Sequence, residues 1–205
     1  MNREEKNNLK RQEIIDAAME EFGKNNYGEA SLNAICRNGN ISKGIIYHYF
    51  KNKDELYLVC VAESFKQLTI FLNDQEFSFG HPKQAIEELL DLRHQFLKEH
   101  SDLSNIFTNV LLQPPKHLND QIKELKTPLN QFNIYFYEQV LDQLELRKGV
   151  TRQEAIEYFL IFQESFNYYF QRDASEDLSK LFDEHEFKLS KMLHIMLYGI
   201  TKEEE

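Results

Sequence analysis

Glycine and proline are scarce, seven and four in 205 residues. Folds that turn tightly and often, such as β-sandwiches and Gly-looped α/β domains, need more of both. Long apolar runs are missing as well. The longest, Leu56 to Ala62, has seven residues, against roughly 20 for a helix that crosses a bilayer, so no transmembrane helix and no membrane partner are expected. The opening MNREEKNNLK mixes acid, base and amide with no apolar stretch behind it, unlike a secretory leader. The expected location is the cytoplasm. Only Cys36 and Cys60 are present, without CxxC spacing, and both are expected to be reduced and buried. His81, His94, His100, His117, His185 and His194 include no pair three or four apart, and HExxH does not occur, so no metal site is expected. GxGxxG, P-loop and GxSxG patterns are also lacking. Neither an enzyme nor a cofactor is expected from these residues.

What is present is helical period. Ile15, Ala18, Met19 and Phe22 share one face of a first helix over about Leu9 to Asn25. Ser31 and Ser42 stand where N-caps belong, ahead of two short helices separated by Asn38-Gly39-Asn40. Asn52 and Glu55 form a capping-box pattern opening a long fourth helix to about residue 73. Pro82 suits the first turn of a fifth helix, and Ser101 or Asp102 caps a sixth. Pro114-Pro115 forbids its continuation, which makes 113–128 the loosest stretch. A seventh helix from Leu129 ends near Lys148-Gly149, Thr151 to Glu154 boxes the start of an eighth, and a ninth runs from about Glu176, with Glu203 to Glu205 left as a solvated tail. The expected fold class is all-α, about nine helices: an N-terminal three-helix helix-turn-helix domain joined by the long fourth helix to a helical C-terminal domain.

Charge divides the chain in the same place. Residues 1–53 carry nine Lys and Arg against seven Asp and Glu, a net of +2, which leaves −12 for residues 54–205 of the total of −10. A slightly basic head on an acidic body offers nucleic acid one preferred face. Two short helices with a tight turn between them satisfy the geometric requirement of a helix-turn-helix, in which the first braces the second.

Four pieces in register, IIDAAMEEFGKNNYGEAS, the turn into SKG, Tyr47-His48-Tyr49-Phe50 and Lys53-Asp54-Glu55-Leu56, resemble the DNA-binding module of the TetR family of transcriptional regulators. The resemblance covers residues 8–68, with the helix-turn-helix at 31–50, and assigns 69–205 to effector binding and dimerisation. By position it implies backbone contacts from Ser31, Ser42, Lys43, Tyr47, His48 and Lys53, and base-edge contacts from Asn33, Lys43, Gly44 and Ile45. Lys51 and Lys53 flank the start of the fourth helix, where a cation beside free N–H groups grips phosphate. Two departures stand out. Ile45 replaces the family's common Thr and leaves only apolar contact, and Asn40 replaces its usual turn Gly. Tyr49 and Phe50 are expected to pack the small domain.

In the C-terminal half, rings beside polar tips suit a mostly apolar ligand. Phe107, Tyr135, Phe136, Phe162, Gln163 and Phe166 are the candidate lining for an unknown small-molecule effector. Helices eight and nine hold more apolar residues than one side needs, and the resemblance implies that they pair two subunits in a homodimer on a palindromic double-stranded DNA operator. The expected function is a ligand-responsive, DNA-binding regulator, most simply a repressor. A DNA-binding regulator without effector, and a helical enzyme or carrier with a helix-turn-helix-like head, stay open at this point.

Overall fold

Asn2 caps the first helix, which begins at Arg3, six residues ahead of the Leu9 start expected from its apolar period. Its side chain accepts from the Glu5 N–H at 2.8 Å, and the Glu5 carboxylate accepts from the Asn2 N–H at 2.7 Å, a capping box built wholly from polar residues. In the computed structural model, which describes residues 2–171 and 178–201, α1 therefore spans Arg3–Lys24. Leu32–Asn38 (α2), Lys43–Tyr49 (α3) and Lys53–Asn73 (α4) follow. Ser31 and Ser42 cap α2 and α3, accepting from the N–H of Ala34 at 3.2 Å and of Ile45 at 3.4 Å. Asn52 caps α4 through the Glu55 N–H at 2.8 Å, but the Glu55 carboxylate reaches back to the Lys51 N–H at 2.6 Å, so the box closes one residue early.

The turn between α2 and α3 has a steric cause. Asn40 carries the left-handed backbone, at φ 49°, whereas Gly39 sits at φ −84°. Gly39 is needed for space: a Cβ there would lie 2.7 Å from the Ala17 Cβ and 2.9 Å from the Ile41 Cδ1. Ile35 and Ile46, both fully buried, fix the inner faces of α2 and α3, each burial contributing about 1.5–3 kcal/mol.

Two compact units emerge. The first holds the chain up to Gln67 together with Leu97–Lys126. Within it α6 (Ser101–Leu112) packs along α1. Gly23 allows the close approach, since a Cβ there would stand 3.1 Å from the Asp102 Cα, and the buried Ser64 hydroxyl donates to the Leu103 carbonyl at 3.0 Å. The expected Ser101 or Asp102 cap is absent: His100 is the last non-helical residue and its side chain makes no capping bond, so both candidates already lie inside the first turn. The stretch 113–128 is also more ordered than the proline pair implies. A 3-10 turn at Lys116–Leu118 leads into α7 (Asn119–Leu125), and Leu118 and Ile122 supply two buried anchors that are too few to show as a period.

The second unit takes Leu68–Phe96 and the chain from Thr127 on, with α5 (Pro82–Glu99), α8 (Thr127–Leu141), α9 (Arg152–Phe170) and α10 (Leu178–Ile200). Its core is aromatic. Tyr137 stacks on Phe159 at 4.2 Å, and Phe77 meets Phe136 edge-on at 5.0 Å. The helix expected to reach Lys148 ends at Leu141. Beyond it the Arg147 N–H donates to the Ile200 carbonyl at 3.0 Å and its Nε to the Thr201 carbonyl at 2.7 Å, so the chain spends these groups on the end of α10 rather than on another helical turn. Thr151 and Glu154 form the expected reciprocal box at α9. The expected helix start near Glu176 and the tail Glu203 to Glu205 lie outside the described residues. One isolated bridge apart, the regular structure among the described residues is helical, and no described helix is long and apolar enough to cross a membrane.

Candidate nucleic-acid interface

Ile46 and Phe50, four residues apart, turn one side of α3 into the core, which commits the other side to solvent. Ser42, Lys43, Gly44, Tyr47 and His48 are exposed there. Tyr47 is 50% exposed, with the Lys43 ammonium 6.0 Å from its ring centre. A Cβ at Gly44 would meet nothing within 4 Å, so the protein's own packing does not demand a glycine at that position. Ser31 and Asn33 lie exposed at the start of α2, and Lys51 is exposed after α3. Ile45 is half-buried rather than open. Phe50 packs as expected, under the Arg11 guanidinium at 5.2 Å, and Tyr49 is half-buried.

Lys53 is placed differently from its neighbours. It is half-buried, and its ammonium donates to the carbonyls of Tyr27 at 2.6 Å and Ala30 at 3.0 Å while standing 4.1 Å over the Tyr27 ring. Burial pulls its pKa down, opposed by the neighbouring Asp54 carboxylate. The Tyr27 hydroxyl in turn donates to Asp54. Burial, reinforced by that bond, raises the phenol to about 12, and the same bond holds Asp54 below the usual carboxylate range. The imidazole of His117 completes the chain 3.5 Å from Asp54. Tyr27, Asp54 and His117 had no sequence signal as a cluster, because they are far apart in the chain. Arg3, Lys6 and Asn7, which line a groove with His48 and Tyr49, also escaped notice for want of an apolar period.

A family model of bacterial regulatory proteins, tetR family, matches residues 14–60, the segment from the middle of α1 into α4. The negative transcriptional regulator of the biofilm operon icaADBC, IcaR, from Staphylococcus epidermidis is 26% identical over 171 residues, covering 80% of this chain and 84% of that protein. Residues 14–60 thus form a segment of the tetR type found in bacterial regulatory proteins. Two solved structures share the fold of this chain. NalD, the secondary repressor of the MexAB-OprM multidrug efflux pump in Pseudomonas aeruginosa, is 20% identical with TM-score 0.59, covering 98% of this chain and all of that one. FadR from Bacillus subtilis, solved with stearoyl-CoA, is 18% identical with TM-score 0.54, covering 88% and 97%.

The candidate effector residues do not form one cluster within a unit. Phe107 belongs to the first unit, edge-on to Phe65 at 6.0 Å. The other five belong to the second. There Phe136 packs with Phe77 and Phe79, Phe162 lies 5.4 Å from Phe166, Gln163 is half-buried, and Tyr135 is 57% exposed. The same unit buries a polar group that sequence reasoning missed. Glu186 pairs with Arg93 and lies 2.9 Å from the Nδ1 of His185, whose Nε2 is 3.0 Å from the Asn167 Oδ1. Burial raises the Glu186 carboxyl, but Arg93 and His185 outweigh it and hold the group down at about 2.

Proposed function

We propose that the protein is a sequence-specific regulator that binds a palindromic operator as a homodimer, places α3 of each subunit in the major groove and represses transcription. The outward face of α3 carries this reading: Ile46 and Phe50 lock the helix, and Lys43, Gly44, Tyr47 and His48 project from it. A glycine without an internal packing reason lets DNA approach the helix closely. Ser42, Lys43, Tyr47, His48 and Lys51 suit phosphate, while Asn33 and Ile45 stand near base edges.

The second copy is assigned to α9 and α10, where Ile161, Tyr168, Phe187 and Ile195 remain exposed in the single chain. A mostly apolar effector suits the second unit, by analogy with the stearoyl-CoA bound by the Bacillus subtilis FadR. Phe136, Phe162, Gln163 and Phe166 are the residues of that unit assigned to it. The effector acts by binding one spacing of the two heads better than another, and a roughly 100-fold preference, about 2.7 kcal/mol, changes promoter occupancy. The test is fluorescence anisotropy of duplexes selected from the native genome. Tight, saturable binding of a short palindrome by a dimer supports the proposal. Equal, weak binding to all duplexes overturns it.

A further inference from the structure

Four of the nine cations of the head are held by their own chain. Lys10 pairs with Glu13 at 2.6 Å, Lys24 pairs with Glu20, Arg11 lies on the Phe50 ring, and Lys53 is held by two carbonyls. Arg3 and Lys6, on the first two turns of α1, have no such partner among the described residues. They line a groove of about 590 Å³ together with Glu4, Asn7, His48 and Tyr49. His48 is the last outward residue of α3, and the Tyr49 hydroxyl donates to the Asn7 Oδ1 at 2.6 Å, which fixes the start of α1 beside the end of α3. Glu5 is turned back into the Asn2 capping box, leaving Glu4 as the only acid on the groove wall.

We infer that the start of α1 is a second DNA contact, in which Arg3 and Lys6 pair with backbone phosphates next to those reached by α3. This rests on the DNA-binding reading above. The ligand is a phosphodiester, because an ammonium and a guanidinium at the groove pair readily with phosphate oxygens while the amide on its wall, Asn7, already accepts from the Tyr49 hydroxyl. The contact adds positive charge beside the end of α3. It adds affinity to every sequence and discrimination to none.

A salt titration of a duplex bound by the wild-type dimer tests this. Arg3→Ala/Lys6→Ala is expected to weaken matched and mismatched duplexes alike, by at least about tenfold at low salt, and to reduce the slope of log affinity against log salt by about 3.6, at roughly 0.9 per phosphate for two residues in each of two subunits. Glu4→Gln is expected to tighten binding, which a merely structural role for this turn would not produce. The charge-conserving pair Arg3→Lys/Lys6→Arg is expected to keep the wild-type slope, and serves if the alanine pair alters the fold. Unchanged slope and affinity in a folded alanine pair overturn the inference while leaving α3 as the reader. Failure of the wild type to bind any duplex overturns the DNA-binding reading itself.

Discussion

The Lys53 ammonium lies 2.6 Å from the carbonyl oxygen of Tyr27 and 4.1 Å from the centre of its ring, joining the first turn of α4 to the loop that leaves α1. A side chain at a position that the family resemblance gives to phosphate thus closes the head upon itself. Lys53→Ala is expected to destabilise the protein by about 1–2 kcal/mol, the range for charge-assisted hydrogen bonds reduced for partial exposure. Urea unfolding followed by circular dichroism checks this. A midpoint equal to that of the wild type would show that the carbonyl contacts carry no stability.

Acid stability should follow Glu186. Its folded pKa of about 2 lies below the ordinary 4.5, so the stabilisation is fully present above about pH 4.5 and is lost as pH falls toward 2, on the order of 3 kcal/mol in all. Glu186→Gln should flatten the dependence of unfolding free energy on pH in that window and lower stability at pH 7. An unaltered acid limb in the variant would contradict the assignment.

Asn40 holds φ 49° without being glycine. Asn40→Gly is expected to keep or slightly raise the melting temperature, and Asn40→Ala to cost about 1 kcal/mol, because an alanine has no side-chain hydrogen bond to offset the left-handed strain. Gly39→Ala should cost more, since its methyl would collide with Ala17. Thermal unfolding of the three variants gives the order, and a tolerant Gly39 would count against the steric account of the turn.

Sequence preference should reside in α3. Ile45→Thr is expected to change the favoured base at one position of each half-site by about 1–3 kcal/mol. Selection of bound duplexes from a random pool reads the change directly. An identical consensus for both proteins would remove Ile45 from the base-edge group.

Exposed apolar residues on α10 predict the assembly. Phe187 and Ile195 are 63% and 66% exposed in the single chain. Phe187→Glu/Ile195→Glu should shift sedimentation from dimer to monomer and weaken operator binding, while leaving the helical circular dichroism intact. A variant that still sediments as a dimer would move the interface elsewhere.

Much of the fold was legible because its signals are local. The caps at Ser31, Ser42, Asn52 and Thr151 each act within three residues, and the α3 stripe of Ile46 and Phe50 repeats at helical spacing. The extension of α1 to Arg3 was not legible from apolar period, since residues 3–8 have none and the signal is a polar box at Asn2 and Glu5. Within the candidate site, exposure of Lys43, Tyr47 and His48 follows from the same stripe. The fate of Lys53 does not, because its partners lie 23 and 26 residues away. Arg93 and Glu186, 93 apart, share a buried pair for the same reason. Gly39 shows in the sequence only as part of the Asn38-Gly39-Asn40 break between two helices, whereas the structure uses its missing side chain.

The proposed function requires the face from Ser42 to His48 to read duplex DNA. Binding of the purified protein to DNA from upstream of its own gene, measured across ionic strength beside a Ser42→Asp/Lys43→Glu variant, tests it most directly. Saturable wild-type binding that weakens by roughly 0.9 log units per contacted phosphate for each tenfold rise in salt, and that the folded variant loses, is the predicted result. No saturable binding at low salt, or equal binding by the variant, would contradict it.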